Sequence, residues 1–240
     1  MTTTLKIDFV SDIACPWCAV GLYSLEKALD RLQGEVQAEL HFQPFELNPH
    51  MGPGGQDLTE HITEKYGSTP EQQALMRENI RQRGAEVGFA FAPGGRGRVY
   101  NTFNAHRLLH WAGLEGAAKQ VSLKKALLAA YQGRGESPES PEVLLAAVAE
   151  AGLDEARARA ILAGDEYAAE VRELEQFYQR AQNAVAAEKQ YVSEFKSGPH
   201  RVRTSGRDFL ANRAFVPCLL SSANKPLSYE CCCGRVGYGY

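Results

Sequence analysis

Two hydrophobic periods divide this chain. Leu5-Lys6-Ile7-Asp8-Phe9-Val10 reads as a strand. Val36-Gln37-Ala38-Glu39-Leu40-His41-Phe42 alternates apolar and polar positions as a half-buried strand does, and runs on through Pro44-Phe45-Glu46-Leu47-Asn48-Pro49. Between them Val20, Leu22, Leu25, Ala28, Leu29 and Leu32 recur at helical spacing, which predicts an amphipathic helix over about 16–33, ended by Gly34. Strand, helix, strand is the opening unit. Met51-Gly52-Pro53-Gly54-Gly55 is a cluster of breakers, and beyond it the pattern is helical for well over a hundred residues.

In that block Thr69-Pro70-Glu71 is a cap followed by a proline suited to the first helical turn, leading through Leu75, Met76, Ile80 and Val87. A glycine-rich loop follows at 89–99. Further helices are predicted over about 102–112, 120–131, 141–151 (opened by Ser140-Pro141-Glu142), 153–163 and 167–188. Phe209-Leu210-Ala211-Asn212-Arg213-Ala214-Phe215-Val216 is the candidate for a strand that returns to the sheet.

With 240 residues, 44% of them hydrophobic and 23% charged, the chain has enough apolar surface for a sizeable core. A net charge of -3 and the lack of a basic stripe interleaved with aromatics argue against a nucleic-acid partner. Met1-Thr2-Thr3-Thr4 lacks the basic-then-apolar pattern of a signal peptide, and no apolar run approaches membrane-spanning length, so no membrane partner and a cytoplasmic location are expected.

Six cysteines occur, and their spacing carries the chemistry: Cys15 and Cys18, then Cys218 and Cys231-Cys232-Cys233. Cys15-Pro16-Trp17-Cys18 lies where the first strand gives way to the first helix. Two intervening residues at a helix mouth bring both sulfurs close enough for a small disulfide ring. Unpaired first-turn N–H groups and the helix dipole would stabilise a thiolate at Cys15, which predicts a pKa below the ~8.5 of a free cysteine. A zinc site would need a second such pair or suitably spaced histidines, and two buried structural cysteines are the other bland alternative. The strand-to-helix junction favours thiol–disulfide exchange. His106 and His110 are four apart and share a helix face, but no glutamate follows the first histidine as in His-Glu-x-x-His; they read as helix packing, and no metal is expected.

Three segments together resemble the FrnE-like branch of the DsbA family, which is related to the 2-hydroxychromene-2-carboxylate isomerases. They are Asp8-Phe9-Val10-Ser11-Asp12-Ile13-Ala14-Cys15-Pro16-Trp17-Cys18, Pro44-Phe45-Glu46-Leu47-Asn48-Pro49 and Asn101-Thr102-Phe103-Asn104-Ala105-His106-Arg107-Leu108. Glu64-Lys65-Tyr66-Gly67-Ser68-Thr69-Pro70 and Ala151-Gly152-Leu153-Asp154 fit the same branch, so the likeness covers about residues 4–178. The resemblance implies an α/β chain with a thioredoxin-like fold and a large all-helical insertion. Residues 1–50 and 186–240 would form a discontinuous thioredoxin-like domain, atypical after 216, and residues 51–185 the insertion. It implies a disulfide oxidoreductase or isomerase in which Cys15 attacks and Cys18 resolves the mixed disulfide. Pro16 and Trp17 would tune the pair and face substrate, and Asn48 and His106 would line the groove between the two domains.

Substrates would be thiol- or disulfide-bearing proteins or glutathione, the latter as a co-substrate, with no bound cofactor. One alternative is a glutathione-dependent isomerase of the 2-hydroxychromene-2-carboxylate type. Those enzymes carry serine where Cys15 stands and lack a partner at Cys18, so the paired thiols favour electron transfer. Another is a redox-responsive, chaperone-like peptide binder. Toward the end of the chain the pattern departs from the family. Arg207-Asp208 stands where a Val-Pro pair is expected, Val216-Pro217 follows the candidate strand, and Pro217 to Lys225 shows neither period. A frameshift over the last two dozen residues, either real or in the determination of the sequence, is the expectation that would explain this, and the tail cysteines receive no catalytic role.

Overall fold

The computed structural model describes residues 3–181 and 213–216. β1 (Thr3–Ser11), α1 (Pro16–Arg31) and β2 (Val36–Pro44) form the opening unit. β1 and β2 are parallel, in register from Thr3 opposite Val36 to Ser11 opposite Pro44. Parallel neighbours need a crossover, and α1 supplies it. β5 (Arg213–Val216) joins the other edge of β1, also parallel, giving the order β2-β1-β5. β1 is thus the central strand, and from Ile7 to Val10 every residue is buried, Asp8 included. β2 keeps the predicted alternation, with Leu40, Phe42 and Pro44 inward. On its outer edge the amide of Gln120 takes the place of a neighbouring strand: its Oε1 accepts the Phe42 N–H at 2.8 Å and its Nε2 donates to the Phe42 carbonyl at 3.0 Å.

The second strand ends at Pro44, not at Pro49 as its sequence suggests. The Leu47 N–H, which a longer strand would offer to the sheet, goes instead to Asp12 Oδ2 at 2.8 Å. The helical block contains β3 (Gln56–Asp57), α2 (Leu58–Tyr66), α3 (Pro70–Val87), β4 (Arg98–Val99), α4 (Phe103–Glu115), α5 (Ala117–Leu128), α6 (Pro141–Glu150) and α7 (Glu155–Ala163). An eighth helix, α8, is described over 168–181. β3 and β4 pair antiparallel, a non-helical addition to the block that joins the breaker cluster to the end of the glycine-rich loop.

The signals for α3 and α6 act as read. Thr69 and Gln72 form a reciprocal capping box with Pro70 next to it, and Ser140 caps Val143 ahead of Pro141. α5 starts at Ala117, and the segment predicted as its last turn is a π-helix, Ala129–Gly133. One buried cluster runs from Phe9, Leu22 and Phe42 through Trp111 and Leu127 to Leu144 and Ile161, so sheet and helices share a core. The predicted strand positions 209–212, helix positions 182–188, the Arg207-Asp208 pair and the tail with its four cysteines lie outside the described residues. No helix among the described residues is long and apolar enough to cross a membrane.

Candidate active site

Cys15 is the N-cap of α1, with extended backbone at φ -92° and ψ 113°, and Pro16 opens the helix. The Cys18 N–H donates to the Cys15 carbonyl at 3.1 Å, closing the first turn over the pair. Both residues are thiols, and both are nearly covered, at 4% and 5% exposure. The low thiolate pKa expected at Cys15 does not hold in this state. The Cys18 side chain, hydrogen-bonded to it, together with burial and the nearby Asp12 charge, pushes the Cys15 thiol well above its ordinary value, and the opposing Cys18 N–H does not offset them. Alkylation of the reduced protein at Cys15 is therefore expected to rise with pH around a midpoint above the ~8.5 of an unperturbed thiol. A midpoint near or below that value, read by iodoacetamide labelling and mass spectrometry, would contradict it.

Beneath the dithiol, Asp12 organises the loop from strand to helix. It is 1% exposed, accepts the Ala14 N–H at 3.0 Å and the Leu47 N–H at 2.8 Å, and lies 3.4 Å from His106 Nε2. Burial works to raise its pKa, yet His106 and the two backbone donors hold the carboxyl below the usual carboxylate range. Next to it, buried Glu46 accepts from Asn101 Nδ2 at 3.2 Å and pairs with Arg172, which also reaches Glu175 at 2.8 Å. The three motif segments thus meet: the first supplies Asp12, the second Glu46 and Leu47, the third Asn101 and His106.

The helical block grips the same loop from the other side. Gln132 Nε2 donates to the Ile13 carbonyl at 2.7 Å, and Arg96 donates to the Ala14 carbonyl with its guanidinium 5.0 Å from the centre of the Tyr131 ring. Both Tyr131 and Gln132 lie in the π-helix, whose wider turn is a frequent functional irregularity. The loop that carries Arg96 is seated by close approach. A Cβ on Gly84 of α3 would come within 2.5 Å of the Phe91 ring, so only glycine fits there.

Cys15, Pro16 and Trp17 lie at the head of a groove of about 750 Å³, walled by α2, α3 and the loop from Phe91 to Arg96. Asn48 lines it too, its Oδ1 accepting from Lys65 Nζ at 2.7 Å. His106 does not line the groove: at 2% exposure it sits behind the dithiol loop, against Asp12, where its ring helps hold a buried charge. Together with His110 it borders a separate cavity of only about 10 Å³ beneath β2. Among the described residues no group of three or more His, Cys, Asp and Glu has the geometry to hold a metal ion. The sequence reading missed Asp12, Lys65, Arg96 and Gln132. Only Asp12 carried a signal, an acid at the end of an apolar strand three residues before a cysteine.

Residues 6–183 match the DsbA-like thioredoxin domain family. Among solved structures, the chain resembles a probable DsbA oxidoreductase from Streptomyces coelicolor, with 31% identity, a TM-score of 0.68, and coverage of 74% of this chain and 76% of that one. It also resembles a 2-hydroxychromene-2-carboxylate isomerase (17% identity, TM-score 0.49, 71% and 77% covered). The cytosolic disulfide reductase DsbM from Pseudomonas aeruginosa, solved with GSH, stands at the same identity and TM-score, with 76% and 82% covered. No curated protein sequence matches. The match over residues 6–183, the α/β architecture and the dithiol at the strand-to-helix junction lead to one conclusion: the chain belongs to the DsbA-like thioredoxin domain family.

Proposed function

We propose that this protein is a thiol–disulfide oxidoreductase that uses Cys15 as nucleophile and Cys18 as resolving thiol. The observation that carries this reading is the placement of Cys15 at the N-cap of α1, with Cys18 one turn on and a groove opening at the pair. The Cys15 thiolate attacks one sulfur of a substrate disulfide, and the other substrate sulfur leaves as a thiolate and takes up a proton. Cys18 then attacks Cys15, the Cys15–substrate bond breaks, and the second substrate thiol departs. Two electrons pass to the substrate, and the protein is left oxidised as a Cys15–Cys18 disulfide until an external thiol such as glutathione supplies two electrons and reduces it.

The direction this supports is reduction. A strongly oxidising dithiol owes its potential to a stabilised thiolate in the reduced form, and here burial and Cys18 disfavour that thiolate at Cys15. Serial reshuffling of disulfides in one substrate uses the same first step and would need only that the substrate attack before Cys18 does. The test is turbidimetric insulin reduction with dithiothreitol, alongside equilibration of the protein in glutathione redox buffers. Acceleration over the thiol alone, with a dithiol more reducing than the strong oxidant DsbA, supports the reading. An uncatalysed rate overturns it.

A further inference from the structure

The charge in the groove is opposite to that of the chain. The chain carries a formal net charge of -3. The charged side chains lining the groove, apart from His61, are Lys65, Arg77, Arg81 and Arg96 against a single carboxylate, Glu78. Glu78 is taken up by Arg81, with contacts of 2.8 Å to Nε and 2.7 Å to Nη2. Lys65 bonds neutral acceptors only, the Leu47 carbonyl at 2.9 Å and Asn48 Oδ1 at 2.7 Å. Arg96 is held by the Ala14 carbonyl and the Tyr131 ring, and its Nε is buried with no hydrogen-bond partner. Arg77 is exposed on α3 and pairs with no carboxylate among the described residues. His61, on the same wall, reports the field. After burial, the Lys65 and Arg96 charges hold its imidazole below the usual range.

The α3 wall is part apolar. Gln72, Met76 and Ile80 line the groove from one face of α3. Their spacing spans roughly 12 Å of helix axis at 1.5 Å per residue, the length of three to four extended residues at roughly 3.3 Å each. Met76 stands 53% exposed on this wall, an apolar surface without a covering element among the described residues.

We infer that the groove takes an extended, acidic segment of a disulfide-bearing polypeptide, with its Asp or Glu side chains against Lys65, Arg77 and Arg96 and its apolar residues on Met76 and Ile80. This deepens the exchange reading of Cys15 and names its substrate class. Recognition is by charge and backbone length, so flanking acidic residues, not the cysteine alone, select the substrate.

The test separates binding from chemistry. The Cys15→Ser, Cys18→Ser protein is titrated, by fluorescence anisotropy, with two labelled linear peptides that differ only in Glu or Gln at the positions flanking a central serine. The Glu peptide is expected to bind about tenfold tighter at low salt, with the advantage collapsing at high salt as screening sets in. Arg77→Glu in the same background is expected to remove that advantage. Arg77 is exposed, and unaltered far-UV circular dichroism would confirm that the variant is folded. Equal binding of the two peptides, binding of neither, binding of reduced glutathione alone, or indifference to Arg77→Glu would each overturn the inference. Because the cysteines are replaced, failure of insulin reduction in the wild type removes the exchange reading without touching this result, and the converse also holds.

Discussion

The Cys15→Ser protein is expected to reduce insulin no faster than dithiothreitol alone, a loss of at least about a thousandfold, on the scale seen when a covalent nucleophile is removed. The reason is chemical as well as geometric. A serine hydroxyl in the same place has no base described against it that would make it a nucleophile toward sulfur. Cys18 cannot substitute, because it lies inside the first turn of α1 and is absent from the groove lining that includes Cys15, Pro16 and Trp17. The companion variant separates the two roles. Cys18→Ser leaves the attack intact and removes resolution, so a covalent adduct between Cys15 and substrate is expected to accumulate and to be visible by intact mass, reversible with excess thiol. Residual catalysis in Cys15→Ser, or an adduct on Cys18 in the wild type, would reverse the assignment.

Asp12→Ala is expected to cost about 2–6 kcal/mol of stability, because two buried N–H groups lose their acceptor at about 1–3 kcal/mol each. Asp12 is enclosed, and its loss leaves the Ala14 and Leu47 N–H groups and the His106 ring without the oxygen they face. Asp12→Asn keeps a single carbonyl acceptor and turns an amide N–H toward the other donor, so it recovers part of the loss at most. The pH dependence has a definite sign. The folded-state pKa of Asp12 is lowered, so its contribution is present above the unfolded value of about 3.9 and is lost as pH falls through the lower, folded value. Urea denaturation of wild type and Asp12→Ala should therefore differ fully at neutral pH and converge in strong acid. A gap under ~1 kcal/mol at neutral pH, or one that widens on acidification, would show that Asp12 does not hold the loop.

The opening unit was legible because it is local. Alternation in β2, helical spacing in α1, and proline beside a cap at α3 and α6 are each decided within a dozen residues, and the structure follows them. The dithiol was legible for the same reason. What the sequence did not show are the interactions that span long stretches of chain. Leu47 looked like strand because the run from Val36 continues to Pro49 without a breaker cluster, and only the Asp12 carboxylate, 35 residues earlier, explains why its N–H leaves the sheet. His106 looked like a groove residue because its motif belongs to the site, yet the ring packs behind the loop. Arg96 sits among glycines, a composition that signals a loop and nothing of the carbonyl it reaches 82 residues away. The thiol pKa failed for another reason. Burial and the second sulfur, neither of which the local pattern displays, push the Cys15 thiol up.

The π-helix at Ala129–Gly133 makes the site depend on chain length as well as on side-chain identity. Successive residues of a regular helix are rotated by about 100°, so deleting one residue upstream in this segment would restore an ordinary turn and swing Gln132 and everything after it by about that angle. Gln132 would then point away from Ile13, although its own codon was untouched. A chain shortened by one residue here would keep both cysteines and still lose the hydrogen bond that fixes the loop before them.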